Sequence, residues 1–142
     1  YAIVSWIDNN NGRKNLSAYA GKVVVLDFYA TWCQPCRLSI PKLNALQQQL
    51  GPDGLTVIGL NVGGADDRIK VNAFARELNI QYQLGFPDKA LTDLFFADDE
   101  TIPQTFVFSR NGQLTKRFVG FDEKAAAELE HTIELELKRT KD

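Results

Sequence analysis

Residues 23–30 form a near-continuous apolar run broken by Asp27, and residues 55–62, set between Gly54 and Gly63-Gly64, form a second. Runs that fail to alternate predict strands covered by helices on both faces. Between them Cys36, Ile40, Leu43, Leu46 and Leu50 recur at helical spacing, and Gly51-Pro52 closes that helix. Pro41 falls inside it and is expected to kink it. Val71, Phe74, Ala75 and Leu78 mark a second helix opening near Asp66-Asp67, whose carboxylates suit a helix N-terminus.

Shorter elements fill the rest. Residues 2–7 alternate loosely as a strand and end in the turn-rich Asp8-Asn9-Asn10-Asn11-Gly12, with residues 16–22 as a short connection. Residues 81–84 read as a short strand, and residues 88–96 as a short helix with Leu91, Leu94 and Phe95 inward. Strands over 104–109 and 113–120 join around Arg110-Asn111-Gly112, since Asn-Gly is a strong hairpin signal. Ala126, Leu129, Ile133 and Leu137 define the last helix, which frays into Lys138-Arg139-Thr140-Lys141. The β-α-β order asks for parallel strands by right-handed crossover, and the hairpin adds an antiparallel pair. The expected class is α/β: a mixed sheet sandwiched between helices, in one domain over residues 1–142.

The chain has 142 residues, 44% of them apolar and 24% charged, which suits one soluble domain with its own core. A net charge of −2 gives no electrostatic case for nucleic acid or an anionic membrane. No stretch approaches the roughly 18 apolar residues of a membrane span. The chain starts at Tyr1 and contains no Met, so a mature or truncated form is expected, with an upstream signal or anchor removed.

Both cysteines lie in Trp32-Cys33-Gln34-Pro35-Cys36, between the first apolar run and the helix. A thiol at a helix start meets unpaired backbone N–H groups and the positive end of the helix dipole, which favour the thiolate. Cys33 is therefore the expected nucleophile, and Cys36, one turn inside, the thiol that resolves a mixed disulfide. A zinc site needs about four ligands, and only the distant His131 could join the two cysteines. A purely structural bridge closing so short a loop would stabilise little. His131 sits among Glu128, Glu130 and Glu134 and is given no catalytic role.

With Trp-Cys-x-Pro-Cys after the first core strand, the chain resembles the thioredoxin superfamily. The resemblance extends through Val25-Leu26-Asp27-Phe28-Tyr29-Ala30-Thr31, Pro41, Thr101-Ile102-Pro103-Gln104-Thr105-Phe106 and Val119-Gly120-Phe121. An extra N-terminal strand, an insertion between Gly63 and Ala97, and Gly21-Lys22-Val23-Val24-Val25 are similar to the TlpA/ResA-like branch. That branch is usually extracytoplasmic, tethered or periplasmic, and several members serve cytochrome c maturation. Two features depart from it: Ser39 stands where members commonly carry Glu, and Asp98-Asp99-Glu100-Thr101 replaces the Gly-Val-x-Gly that precedes the proline in the cytochrome c members. A general reductase fits these departures better than a dedicated cytochrome c one.

The resemblance implies a fold and a set of roles. The expected fold is thioredoxin-like, and the expected function is protein-disulfide reduction through Cys33 and Cys36, with no cofactor beyond that redox-active disulfide. The uncharged Gln34-Pro35 argues for a reducing poise. Asp27, inside an apolar strand, should be desolvated with a raised pKa, and would accept the Cys36 proton during resolution. The lysine that thioredoxin places on the neighbouring strand is Gly59 here. Pro103 corresponds to a cis-proline facing the dithiol, which would free the Ile102 backbone to pair with an extended substrate. Trp32, Pro35, Val119 and Gly120 would supply a flat apolar docking rim. Implied partners are protein dithiol or disulfide substrates and an upstream thiol electron donor; no nucleic acid is expected, and the chain is expected to act as a monomer. The expected location is extracytoplasmic, with a membrane tether outside the chain, and a cytoplasmic setting is the alternative. Competing readings are a disulfide oxidase or isomerase, a peroxiredoxin, and a non-catalytic thioredoxin-like binding module.

Overall fold

The computed structural model describes residues 4–139. Its strands are β1 (Ser5–Asp8), β2 (Arg13–Asn15), β3 (Val23–Tyr29), β4 (Leu55–Asn61), β5 (Gln83–Pro87), β6 (Gln104–Phe108) and β7 (Leu114–Val119). The helices are α1 (Gln34–Leu50), α2 (Ala65–Arg68), α3 (Val71–Glu77), α4 (Lys89–Phe95) and α5 (Glu123–Lys138). The seven strands form one mixed sheet in the order β2-β1-β5-β4-β3-β6-β7. β3 lies inside it, parallel to β4 and antiparallel to β6, and β4 runs parallel to β5.

That position explains the unbroken apolar run, because every residue of β3 is buried. Val23, Val25 and Tyr29 join a core with Cys36, Ile40, Leu43 and Leu46 of α1, Phe74 of α3 and Ile133 of α5. Val24, Leu26 and Phe28 face the opposite core, with Trp6, Ile58, Leu91, Phe95 and Phe106. Burying one such side chain stabilises the fold by about 1.5–3 kcal/mol, so β3 is anchored from both sides. Strand alternation puts Asp27 on the first of these faces, the one that carries Cys36.

Several expectations shift. The asparagine-rich turn closes a β1–β2 hairpin, because Asp8 Oδ1 accepts the backbone N–H groups of Asn10 and Gly12 at 2.9 and 2.8 Å. β2 leaves no mark in the hydrophobic pattern because Arg13-Lys14-Asn15 has no apolar residue; it is held by pairing with β1 and by ion pairs of Arg13 with Asp88 and Lys14 with Asp8. The helix expected from Asp66 to Leu78 is two helices, broken at Ile69-Lys70, with Asp67 turned inward toward Thr31 and Asn61. Leu94 is exposed rather than inward: in this short helix the buried face is held by Leu91 and Phe95, which lie four residues apart. Pro41 lies within α1, which continues through it to Leu50. The expected strand start at residues 2–3 and the fraying Thr140-Lys141 lie outside the described residues.

Candidate active site

The turn from β3 into α1 places the dithiol. Cys33 is the extended residue just before α1, and its sulfur accepts the Cys36 backbone N–H at 3.2 Å. It thereby satisfies a donor that a helix start leaves free, and it meets the positive end of the α1 dipole. Cys33 and Cys36 are joined as a disulfide, with Cα atoms 5.2 Å apart. Both cysteines are buried in the disulfide form: Cys33 is 5% exposed and Cys36 is 0%. The closure comes partly from the segment before β6, since Cys33 Sγ lies 3.8 Å from the Ile102 carbonyl oxygen.

The residues expected to form a docking rim are placed as follows. The Ile102–Pro103 peptide bond is cis. Gly120 donates its N–H to the Pro103 carbonyl at 2.8 Å and has a φ of 80°, a conformation that favours glycine. Val119 pairs with Gln104 across β6 and β7. Trp32 and Val119 are 65% and 46% exposed, large apolar side chains turned to solvent. Pro35 is exposed in the first turn of α1, Ile102 is half-buried and Pro103 is buried. His131 is exposed on α5.

Asp27 is 0% exposed, on the face of β3 that packs against the core containing Cys36. Its Oδ1 accepts the Thr105 hydroxyl at 3.2 Å, while Oδ2 has no partner. Burial pushes its pKa from the ordinary 3.8 up to about 7, against a smaller pull from the Thr105 bond. Across the ladder its neighbours are Gly59 on β4 and Thr105 on β6, so no cation stands at either paired position. Ser39 is buried in α1 and donates its hydroxyl to the Cys36 carbonyl at 3.1 Å.

A polar brace went unread in the sequence. The Asp67 carboxylate accepts the backbone N–H of Thr31 and the Nδ2 of Asn61, each at 2.9 Å, as well as the Thr31 hydroxyl. Burial alone would raise its pKa, but the Thr31 and Asn61 bonds and nearby Lys70 outweigh that and hold it below the ordinary value. Arg37 adds a second tie, donating to the Thr31 carbonyl and to Glu77 of α3 while its guanidinium lies over the Phe74 ring. The sequence places Asp67 only as a helix-start residue. Its contact reaches 36 positions back along the chain and leaves no periodic trace. Among the described residues, no three His, Cys, Asp or Glu side chains converge as metal ligands would.

A mixed sheet flanked by helices, with a Cys-x-x-Cys disulfide at the head of the helix that follows an inner parallel strand, defines a thioredoxin-like protein. Residues 4–117 match the AhpC/TSA family, and the chain belongs to it. The thiol-disulfide oxidoreductase ResA of Bacillus subtilis is 28% identical over 114 residues, covering 80% of this chain and 62% of its own length. The chain thus spans less than two thirds of that relative. The thioredoxin-like protein YneN of the same organism is 30% identical over 127 residues, covering 87% of this chain and 71% of its own. Among solved structures, one assigned as the thiol:disulfide interchange protein DsbE from Chlorobium tepidum superposes with a TM-score of 0.82 at 28% identity. That match covers 94% of this chain and 92% of the other.

Proposed function

We propose that this protein is a thiol-disulfide oxidoreductase that reduces protein disulfides through Cys33 and Cys36, working as one thioredoxin-like domain over residues 1–142. The observation that carries the reading is the Cys33 sulfur at the head of α1, accepting the Cys36 N–H beside the Ile102 carbonyl. In the reduced protein the Cys33 thiolate attacks a substrate disulfide, and the first substrate sulfur leaves and takes a proton from solvent. Asp27 then accepts the Cys36 proton, and the Cys36 sulfur attacks Cys33 Sγ. The Cys33–Cys36 bond forms, the bond to substrate breaks, and two electrons have passed from the dithiol to the substrate. An upstream thiol donor restores the dithiol; no cofactor is required.

Trp32, Pro35, Ile102, Pro103, Val119 and Gly120 form the docking rim, with the Ile102 backbone pairing to an extended substrate segment. The reducing direction is supported by Gln34-Pro35, which bring no positive charge to stabilise the thiolate further. The working form is a monomer with protein partners and no nucleic acid. We place it outside the cytoplasm, tethered by a segment beyond this chain, in keeping with its resemblance to the ResA-like branch. Among the described residues no helix is long and apolar enough to cross a membrane. Equilibration with thiol–disulfide buffers tests the direction: a potential near about −270 mV supports a reductase, and one near about −120 mV replaces it with an oxidase.

A further inference from the structure

The rung that Asp27 shares with Gly59 holds more than a carboxyl. Tyr29 lies two residues further along β3 on the same face, and its own partner across the ladder is Asn61. Its ring nevertheless leans back to the Asp27–Gly59 rung. A Cβ on Gly59 would stand 3.4 Å from Tyr29 Cε1, 3.1 Å from Tyr82 Cε1 and 2.8 Å from Leu84 Cδ2. The missing side chain at Gly59 is what lets two phenol rings close over that rung. Phe74 holds the Tyr29 ring from the other side, stacked with centroids 5.7 Å apart.

Asp27 Oδ2 and the Tyr29 hydroxyl are both buried, and neither meets a partner at full hydrogen-bond distance, although the Asn61 side chain bears on the phenol oxygen. Unpartnered buried polar atoms are rare and costly, and two on one face of one strand call for an explanation. The two groups are complementary, since a phenol donates and an ionised carboxylate only accepts. We propose that Tyr29 is a positioning residue for Asp27, its hydroxyl donating to Oδ2 when the carboxyl ionises and so holding the base ready for the Cys36 proton. The proposal rests on the reading of Asp27 given above. The phenol keeps its own proton throughout.

The charged groups on the elements packed against this face are engaged elsewhere. Arg37 of α1 is engaged with Glu77, the Thr31 carbonyl and the Phe74 ring. Asp67 of α2 is bonded to Thr31 and Asn61. Thr105 of β6 serves the other carboxyl oxygen, Oδ1. On α5, Glu128, Glu130 and Glu136 are paired with Lys116, Lys42 and Arg139. Burial raises both the Tyr29 and Tyr82 phenols above their ordinary values, and in each case the Asp27 charge adds to the rise. Hydrogen bonding from the Asn61 side chain partly opposes the rise at Tyr29 by favouring the phenolate, and the Asp67 charge adds to the rise. Both phenols therefore stay protonated at neutral pH, as a donor must.

Ellman's reagent mixed with the reduced protein separates the steps: the first thionitrobenzoate released reports Cys33 attack, and the second reports resolution by Cys36. In Tyr29→Phe the first phase should be unchanged. The pH midpoint of the second should move up by roughly one unit, slowing it several-fold at neutral pH. Asp27→Asn should abolish that midpoint, and adding Tyr29→Phe to it should change nothing more. A carboxyl NMR titration of reduced Tyr29→Phe should show the Asp27 midpoint raised by the same amount. If Asp27→Asn loses the midpoint while Tyr29→Phe leaves both kinetics and titration unmoved, the role of Tyr29 is overturned and that of Asp27 stands. If Asp27→Asn keeps the wild-type midpoint, both fall.

Discussion

Asp67 grips Thr31 by its backbone N–H and its hydroxyl, two residues before Cys33, so the inserted helix α2 holds the turn that carries the dithiol. Replacing Asp67 by Asn should cost about 1–3 kcal/mol, because the charge-assisted bonds from Thr31 and Asn61 become neutral ones and the Thr31 hydroxyl must turn from donor to acceptor. The cost should depend on pH. The folded pKa of Asp67 lies below the ordinary 3.8, so its contribution is complete above that value and fades as pH falls through the folded one. Urea titrations of wild type and Asp67→Asn should therefore converge in strong acid and separate toward neutrality. A gap that does not change with pH would mean the carboxylate charge contributes nothing.

The order of attack follows from the helix start. Cys36→Ser should accumulate a stable mixed disulfide between Cys33 and an insulin chain, whereas Cys33→Ser should trap none. Mass spectrometry after acid quenching reads this directly. The same asymmetry should appear on alkylation of the reduced protein at mildly acidic pH, with Cys33 labelled first. Faster labelling of Cys36, which is fully buried, would reverse the assignment.

How much of this could be read from residues alone depended on the reach of each contact. β3 was plain because burial on both faces forces an unbroken apolar run, and its observed end at Tyr29 lies one residue from the expected one. The β6–β7 turn was plain because Asn111-Gly112 supplies the positive φ that its geometry requires, 82° at Gly112. The burial of Asp27 followed from its apolar neighbours, and here it is complete. Contacts set by register across strands left no such mark. Nothing in the spacing of Tyr29, Gly59 and Tyr82 says that two rings meet over the glycine, since that depends on which rung of β4 faces Asp27. The Thr31–Asp67 bond and the polar edge strand β2 were hidden for the same reason: each depends on a partner far away in sequence.

Trp32 separates docking from folding. Its side chain is 65% exposed, so Trp32→Ala should leave the unfolding midpoint nearly unchanged, within about 0.5 kcal/mol. If the ring is part of the rim, KM for insulin should rise several-fold while reaction with small disulfides such as Ellman's reagent stays the same. An equal loss on both substrates would place Trp32 in shaping the Cys33 turn rather than in docking.

The buried carboxyl of Asp27 should oppose folding at neutral pH. Its folded pKa, about 7, lies above the ordinary 3.8, so below the lower value both states are protonated and the effect vanishes. As pH rises past the lower value the unfolded chain ionises first and gains free energy that the folded chain cannot match. The penalty grows up to the folded pKa and then levels off, at no more than about 4 kcal/mol for a shift of this size. Asp27→Asn cannot ionise, keeps the shape, and leaves one buried polar atom unpartnered, as the protonated acid does. The variant should match wild type at about pH 3.5 and be more stable by a few kcal/mol at about pH 8, with the difference opening between the two pKa values. The gain should come with slower release of the mixed disulfide in insulin reduction. A variant less stable than wild type at neutral pH, with reduction unimpaired, would make Asp27 a structural residue and remove it from the proton path.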